Sequence, residues 1–396
     1  HAARIGVELF VVDAGWYLGG TELWDYTTGL GRWAADPARF PSGLRALSDH
    51  AHGLGMRFGL WVEPERVDTA IVNRTRLVKE RFLATTGGLY HPDMRNAMAE
   101  TAQICLGDRE ARQWVLDQIT RLVDEVRPDY LKWDNNYWIN CDRPGHAHGT
   151  KDGNLAHVKG LYSLLGTLRE RFPDLSIENC AGGGHRLDLG MLQYTDSAWM
   201  DDTTGPSTHV RHNLEGLNSV FPPAYLLSFV MDSGAEPLRH GEDLSLFFKS
   251  RMLGILGLTW RGARFDEDVN ENLAAEIAIA KALRGAVLDA AAFLLTDQVM
   301  AKGGGLLDVV QLYSPQHRTA AVLVFAADEI DWFTVRLKGL EPDVRYLMST
   351  IWGTPLGEAM GADLIEIGAE LLNASDSGAH LVLFTPIQAP PGRSTR

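Results

Sequence analysis

Asp134 stands in the run Asp129-Tyr130-Leu131-Lys132-Trp133-Asp134-Asn135-Asn136, where a short apolar strand delivers a cation, an indole and a carboxylate to one end. A second acidic end stands downstream at Trp199-Met200-Asp201-Asp202. In a barrel of parallel strands the C-terminal strand ends form the rim where active sites are built, so polar clusters there read as chemistry and not packing. Two carboxylates facing each other across such a rim suit glycosidic bond cleavage. One attacks the anomeric carbon and the other protonates the leaving oxygen, the two groups lying roughly 5–5.5 Å apart when configuration is retained. Lys132 beside Asp134 favours an ionised nucleophile, and the like charges of Asp201 and Asp202 favour a proton held between them. Chemistry alone does not choose the acid of that second pair. The bland alternative makes Asp134 and Asp201 helix N-caps at strand-to-helix junctions. Against it stand Trp16, Trp61, Trp133 and Trp199 at four strand ends, since caps need no indoles while sugars stack on them.

Positioning these groups takes a repeated strand–helix rhythm, and the chain has one. Apolar runs at Glu8–Val12, Arg57–Val62, Tyr130–Trp133, Leu175–Asn179, Asp196–Met200, Ala224–Met231 and Leu253–Trp260 read as strands. Amphipathic stretches at Ser42–Leu54, Arg109–Val126, His157–Phe172 and Glu271–Gly285 read as helices, as does Leu244–Ile255. Asp134 and Asp201 are far enough apart for two βα units of about 30 residues each, which puts one strand between theirs. Seven strands are one short of a closed eight-stranded barrel, and the missing one is expected before His1, where the chain starts without a methionine. The fold class is therefore α/β, a (β/α)8 TIM-type barrel lacking its first strand over residues 1–295. A small antiparallel β domain is expected over 296–388, from runs at Val309–Tyr313, Ala320–Phe325, Phe333–Leu337 and Leu381–Phe384, and a flexible tail over 389–396.

Composition narrows the partners. With 396 residues, 45% hydrophobic and 22% charged, the chain can bury a large core. The 51 acidic against 37 basic residues leave a net charge of −14 and no basic stripe, which argues against nucleic acid. No apolar run reaches the roughly 18 residues of a membrane span. Cys105, Cys141 and Cys180 show no CxxC spacing, so neither a disulfide framework nor a zinc knuckle is expected, and a reducing, cytoplasmic setting is the mild inference.

The segments LFVVDAGWY (9–17), FGLWVEPERV (58–67), YLKWDNN (130–136), ENCAGGGHRLDLGML (178–192) and AWMDDTT (198–204) resemble the catalytic domain of glycoside hydrolase family 36 α-galactosidases, of the clan that includes family 27. Five ordered motifs cover the barrel. The resemblance implies Asp134 as nucleophile and Asp201 as acid/base, with Asp202 as the fallback because the family usually has one more residue after the Trp. It implies a sugar subsite lined by Asp13, Trp16, Trp61, Lys132, Asn136, Cys180, Gly182 and Trp199, a galactose-containing oligosaccharide as substrate, no cofactor, and homo-oligomer assembly through surfaces preceding this chain. Two departures mark a divergent member. Ala14 stands where the family usually has a second acid that holds sugar hydroxyls, and Thr101–Leu106 replaces an Arg-bearing segment.

The resemblance leaves rivals: a raffinose-synthase-like transglycosylase, α-N-acetylgalactosaminidase or β-L-arabinopyranosidase specificity, or a non-catalytic carbohydrate binder. A metal-dependent hydrolase would draw on His146, His148 and Asp152 in the loop 141–154, but without an HExxH-type spacing that loop reads as a polar wall of the substrate entrance. Cys180 reads as a packed thiol. Gly182-Gly183-Gly184 lacks the Lys-Ser/Thr of a phosphate loop and reads as close backbone approach to a sugar.

Overall fold

The computed structural model describes residues 1–20, 26–75, 77–89, 100–137, 140–203, 205–231, 244–259, 267–287, 289–298, 307–326, 332–372 and 379–387. The chain divides into two compact units, residues 1–3 with 7–202 and residues 4–6 with 203–396.

The first unit holds five parallel strands in the order β1 (Leu9–Val12), β2 (Arg57–Val62), β5 (Tyr130–Trp133), β6 (Ser176–Asn179) and β7 (Ser197–Trp199). A two-stranded antiparallel ribbon, β3 (Arg66–Asp68) with β4 (Thr101–Gln103), interrupts the sequence order between β2 and β5. Registers such as Trp61↔Lys132 and Lys132↔Glu178 line the polar positions of neighbouring strands up at one level. Helices α1 (Gly43–Gly53), α3 (Arg109–Val126) and α4 (Gly153–Arg171) carry the crossovers, with short α2 (Thr69–Thr75) and α5 (Leu189–Leu192). α3 starts where Asp108 accepts the Ala111 N–H and ends at Arg127 in a left-handed turn. Its buried Val115, Leu116, Ile119, Leu122, Val123 and Val126 recur at three and four residues, one face turned to a core that includes Leu60, Leu131 and Ile177.

The second unit contains the parallel pair β8 (Leu226–Met231) and β9 (Ile255–Thr259), with helices Ser207–Leu217, Leu244–Lys249 and Glu267–Ala286. An antiparallel sheet follows in the order β10 (Ala291–Leu294), β11 (Leu307–Ser314), β12 (Thr319–Ala326), β17 (Ala379–Pro386), β14 (Arg345–Ser349) and β15 (Pro355–Met360). Beside it β13 (Trp332–Val335) pairs with β16 (Ala369–Leu372). Val309, Val322, Val324, Tyr346 and Phe384 form its core. Arg211 donates to Asp308 Oδ2 from Nε at 2.9 Å, a buried ion pair tying a helix to β11.

All seven expected parallel strands are present, five in one unit and two in the other. The helix expected over Leu244–Ile255 is shorter: it stops at Lys249, a turn over residues 250–254 follows, and Ile255 already opens β9. Apolar residues every three or four positions ran straight into an apolar strand, and periodicity does not separate the two. Strands β10, β14, β15 and β16 and the β3–β4 ribbon add to the sequence reading. Trp260 and the tail Pro390–Arg396 lie outside the described residues.

Candidate active site

Asp134 follows the last residue of β5 and is 6% exposed. Its backbone N–H still donates to Val62 O at 2.8 Å, so the ladder with β2 fixes where the side chain departs. Three donors converge on the carboxylate. Trp61 Nε1 donates to Oδ2 at 3.1 Å, Asn136 Nδ2 to the same oxygen at 2.7 Å, and the Gly182 N–H to Oδ1 at 3.3 Å. Each donor comes from a different strand end, β2, β5 and β6.

Lys132 takes Asp13, not Asp134, as its hydrogen-bond partner. Its Nζ donates to Asp13 Oδ2 at 2.9 Å and lies 3.7 Å from the centroid of the Trp199 ring, so one face of that indole carries the ammonium. Burial would lower the Lys132 ammonium, but the charges of Asp13, Glu178 and Asp134 outweigh it and leave it raised. Asp13 is lowered in spite of desolvation by Lys132 and by the Ala14 N–H, which donates to Oδ1 at 2.7 Å. Its side chain is half exposed, so the pair presents a charged oxygen to solvent.

The glycine run joins the two acid-bearing strand ends. A Cβ on Gly182 would sit 3.2 Å from Asn136 Oδ1, one on Gly183 3.1 Å from the Asp202 N, and one on Gly184 2.2 Å from the Met200 carbonyl oxygen. Gly182 and Gly183 also take φ of 51° and 85°. The segment after β6 therefore touches Asp134 on one side and the Met200–Asp202 backbone on the other. Asp201 is half-buried and Asp202 exposed; Trp199 Nε1 donates to Asp202 Oδ1 at 2.7 Å. Cys180, 3% exposed, has its thiol raised well above the ordinary value by burial and then by Asp134. It is a protonated packed group, as its sequence context suggests.

Trp16 and Trp61 are 1% and 2% exposed and offer no open ring face. They pack with Tyr17 and Trp33, and Trp16 Nε1 donates to the Trp61 carbonyl at 2.9 Å. Trp133 is fully buried, its Nε1 donating to Glu65 Oε1 at 2.8 Å. Three of the four tryptophans thus build and orient the wall, and Trp199 alone of the four is half-buried.

Beneath the rim lies a layer of carboxylates that the sequence reading left unassigned. Glu63 accepts the Asn136 N–H at 2.7 Å, with Arg66 at 3.4 Å. Burial raises it to about 7 against Arg66, and Asp134 adds to the rise. Glu178 is raised by burial to about 7 despite Lys132 and the Tyr130 hydroxyl that donates to it at 2.5 Å. Glu65 goes the other way: Arg186 and His157 overcome burial and hold it at about 2. Only the strand-end position of Glu63-Pro64-Glu65 hinted at this layer. The cleft of about 620 Å³ lined by His52, Arg127, Asp129, Arg171 and Asp174 opens at the other ends of these strands, away from Asp134.

A family model described as Melibiase matches residues 1–289. Alpha-galactosidase 2 of Pediococcus pentosaceus is 36% identical over 234 residues, 56% of this chain and 30% of the relative. Alpha-galactosidase Mel36A of Lactobacillus acidophilus is 27% identical over 349 residues, 87% of this chain and 46% of the relative. A variant of the GH36 alpha-galactosidase AgaA from Geobacillus stearothermophilus, solved in complex with raffinose, superposes with a TM-score of 0.81 at 23% identity, covering 98% of this chain and 52% of that one. The chain spans about half or less of the length of these relatives, between 30% and 52%, and shares the fold of the solved structure.

Proposed function

We propose, since the chain belongs to the Melibiase family and cradles Asp134 with donors from three strand ends, that it works as an exo-acting α-galactosidase that retains anomeric configuration. The observation that carries this is the Asp134 site itself: a buried carboxylate whose charge is met by fixed N–H groups and not by a neutralising cation in direct contact. Such a group is oriented for attack without reorganising water. The relatives named alpha-galactosidase and the raffinose complex support galactose-containing oligosaccharides as the substrate class. In the first step Asp134 attacks C1 while Asp201 gives its proton to the leaving oxygen. In the second, Asp201 takes a proton from water as the glycosyl–aspartate bond breaks. Asp202 holds the Trp199 ring, and Asp13 with Lys132 supplies a charged pair for sugar hydroxyls.

Ala14 favours a second reading of specificity. With one acid beside Lys132 where the resemblance implies two, discrimination at the far end of the sugar relaxes, and a modified or smaller galactose-like ring fits the same machinery. The test is release of nitrophenol from α-galactoside, α-N-acetylgalactosaminide and β-L-arabinopyranoside by the full-length protein, beside Asp134→Ala with azide. Turnover lost in the variant and returned by azide as a glycosyl azide of inverted configuration is the expected result, and the preferred sugar reports what Ala14 does. A folded wild type that turns over none of the three overturns the hydrolase reading.

A further inference from the structure

Away from Asp134, three residues of one loop and a cysteine from an earlier segment bring four metal-ligating atoms together. The ligand atoms of Cys105, Cys141, His146 and His148 all lie within 4.8 Å of one another. Cys105 Sγ is 3.2 Å from His148 Nε2, and Cys141 Sγ is 3.4 Å from His146 Nδ1. With metal–sulfur bonds of about 2.3 Å and metal–nitrogen bonds of about 2.0–2.1 Å, a tetrahedral zinc site sets its ligand atoms roughly 3.3–3.8 Å apart. We propose that these four side chains form a structural site for one zinc ion, which pins the loop following the Asp134-bearing strand to the segment following β4.

The outward-facing nitrogens of both imidazoles support this. His146 Nε2 lies 2.7 Å from the Arg81 carbonyl oxygen, and His148 Nδ1 lies 2.8 Å from the Gly149 carbonyl oxygen. A carbonyl only accepts, so in each ring that nitrogen carries the proton and the nitrogen facing the thiols carries the lone pair. A histidine ligand is commonly oriented this way, its distal N–H given to a backbone carbonyl. Both thiols are buried at 0% exposure, and both histidines are half-buried. Two soft sulfurs and two imidazoles in a tetrahedron select zinc over magnesium, calcium or manganese, which prefer oxygen. Asp152, the third polar group singled out in the loop, is not in the cluster.

The surroundings indicate what the ion does. Residues 140–152 carry no helix or strand, and a stretch of that length needs anchoring. It is already stitched to the turn before β4: the Asp142 N–H donates to Thr85 O at 2.7 Å, and its carboxylate accepts from Thr85 Oγ1 and the Gly87 N–H at 2.9 and 2.7 Å. Next to Cys105, the Leu106 N–H donates to His157 Nδ1 at 3.1 Å, and His157 Nε2 reaches Glu65 at 2.7 Å. The ion therefore secures a loop whose neighbours support the wall behind Trp133. Its role is structural, with all four positions filled by protein and none open to substrate. It stands independently of the reaction proposed above.

The test is metal analysis of the untagged full-length protein purified without chelator, beside Cys141→Ser and His148→Ala. About one zinc per chain is expected in the wild type, and well under half of that in each variant. Cobalt exchanged into the wild type should give the intense visible d–d bands and sulfur charge-transfer absorption of tetrahedral thiolate ligation. Limited proteolysis should then cut within 140–152 in Cys141→Ser and spare the wild type. If the variants do not fold, the wild-type zinc content and cobalt spectrum decide alone. A wild type that holds no zinc and gives no thiolate-to-cobalt bands overturns the site. So does a thiol titration in denaturant that finds one reactive cysteine where all three are expected, since that means Cys105 and Cys141 are a disulfide.

Discussion

At the scale of single residues, Asp134 depends on groups that do no chemistry themselves. Asn136 gives Oδ2 its shortest hydrogen bond, and its backbone N–H donates to Glu63, so one residue links the nucleophile candidate to the buried layer below. Asn136→Ala removes that donor but keeps the backbone bond. By comparison with loss of one preorganised donor elsewhere, kcat/KM should fall about 10²-fold, with melting temperature nearly unchanged. Steady-state kinetics beside a thermal melt would check it, and a loss under threefold would mean that Trp61 and Gly182 suffice. Asn136 was legible in the sequence because it lies two residues beyond Asp134 in a recognisable motif. Glu63, Glu178 and Arg186 were not read as a network, because their partners come from other strands and only the register aligns them. The tryptophans misled in a specific way: indoles at strand ends suggested sugar platforms, yet Trp16, Trp61 and Trp133 spend their rings on packing and their N–H groups on positioning.

At the scale of elements, both ends of the parallel strands carry acids, with opposite uses. Asp129 precedes β5, accepts the Phe58 N–H of β2 at 2.7 Å and meets His52 Nε2 at 2.7 Å. Asp196 precedes β7, accepts the Ile177 N–H of β6 at 2.8 Å and takes a hydrogen bond from Arg169 Nη1 at 2.6 Å. Each stitches its strand to a neighbour at the end away from Asp134, where such groups serve stability. Asp196→Ala strands a backbone N–H and should cost about 1–3 kcal/mol by denaturant titration while leaving kcat intact. A matching loss of kcat in the folded variant would show that this end is coupled to the chemistry. The strands themselves were legible where an apolar run was bounded by charge, so Arg57–Val62 and Tyr130–Trp133 agree residue for residue. Others escaped: the β3–β4 ribbon buries Arg66, Asp68, Thr101 and Gln103, and polar residues paired with one another in the interior carry no hydrophobic periodicity to read. The Cys105–His148 cluster was read only in part: His146 and His148 stood out in their loop, but Cys105 comes from another segment and the four ligands match no local spacing.

At the scale of the whole molecule, buried carboxyls set how stability answers to pH. Glu63 and Glu178, and Glu215 in the second unit, are each raised by burial to about 7 from an ordinary 4.5. In the unfolded chain they ionise near 4.5, so between 4.5 and 7 the folded state binds more protons and stability falls as pH rises. Glu65, held at about 2, works in the opposite sense. Its contribution is full above 4.5 and is lost as pH falls towards 2. Stability from these four groups therefore peaks near pH 4.5 and declines towards neutrality, each raised group contributing at most about 1.4 kcal/mol per pH unit. The net charge of −14 pushes the same way, because self-repulsion grows as the remaining histidines and acids lose protons. Salt separates the two causes, since surface repulsion is screened while buried groups are screened little. Chemical denaturation at pH 5, 6, 7 and 8 in high salt should retain a decline, and Glu178→Gln or Glu215→Gln should each remove part of it. Tyr130 can still donate to the amide oxygen in the first variant, so its fold is expected to survive. A profile that is flat in high salt, or a slope untouched by both substitutions, would place the ionisation of these carboxyls elsewhere and leave surface charge as the cause.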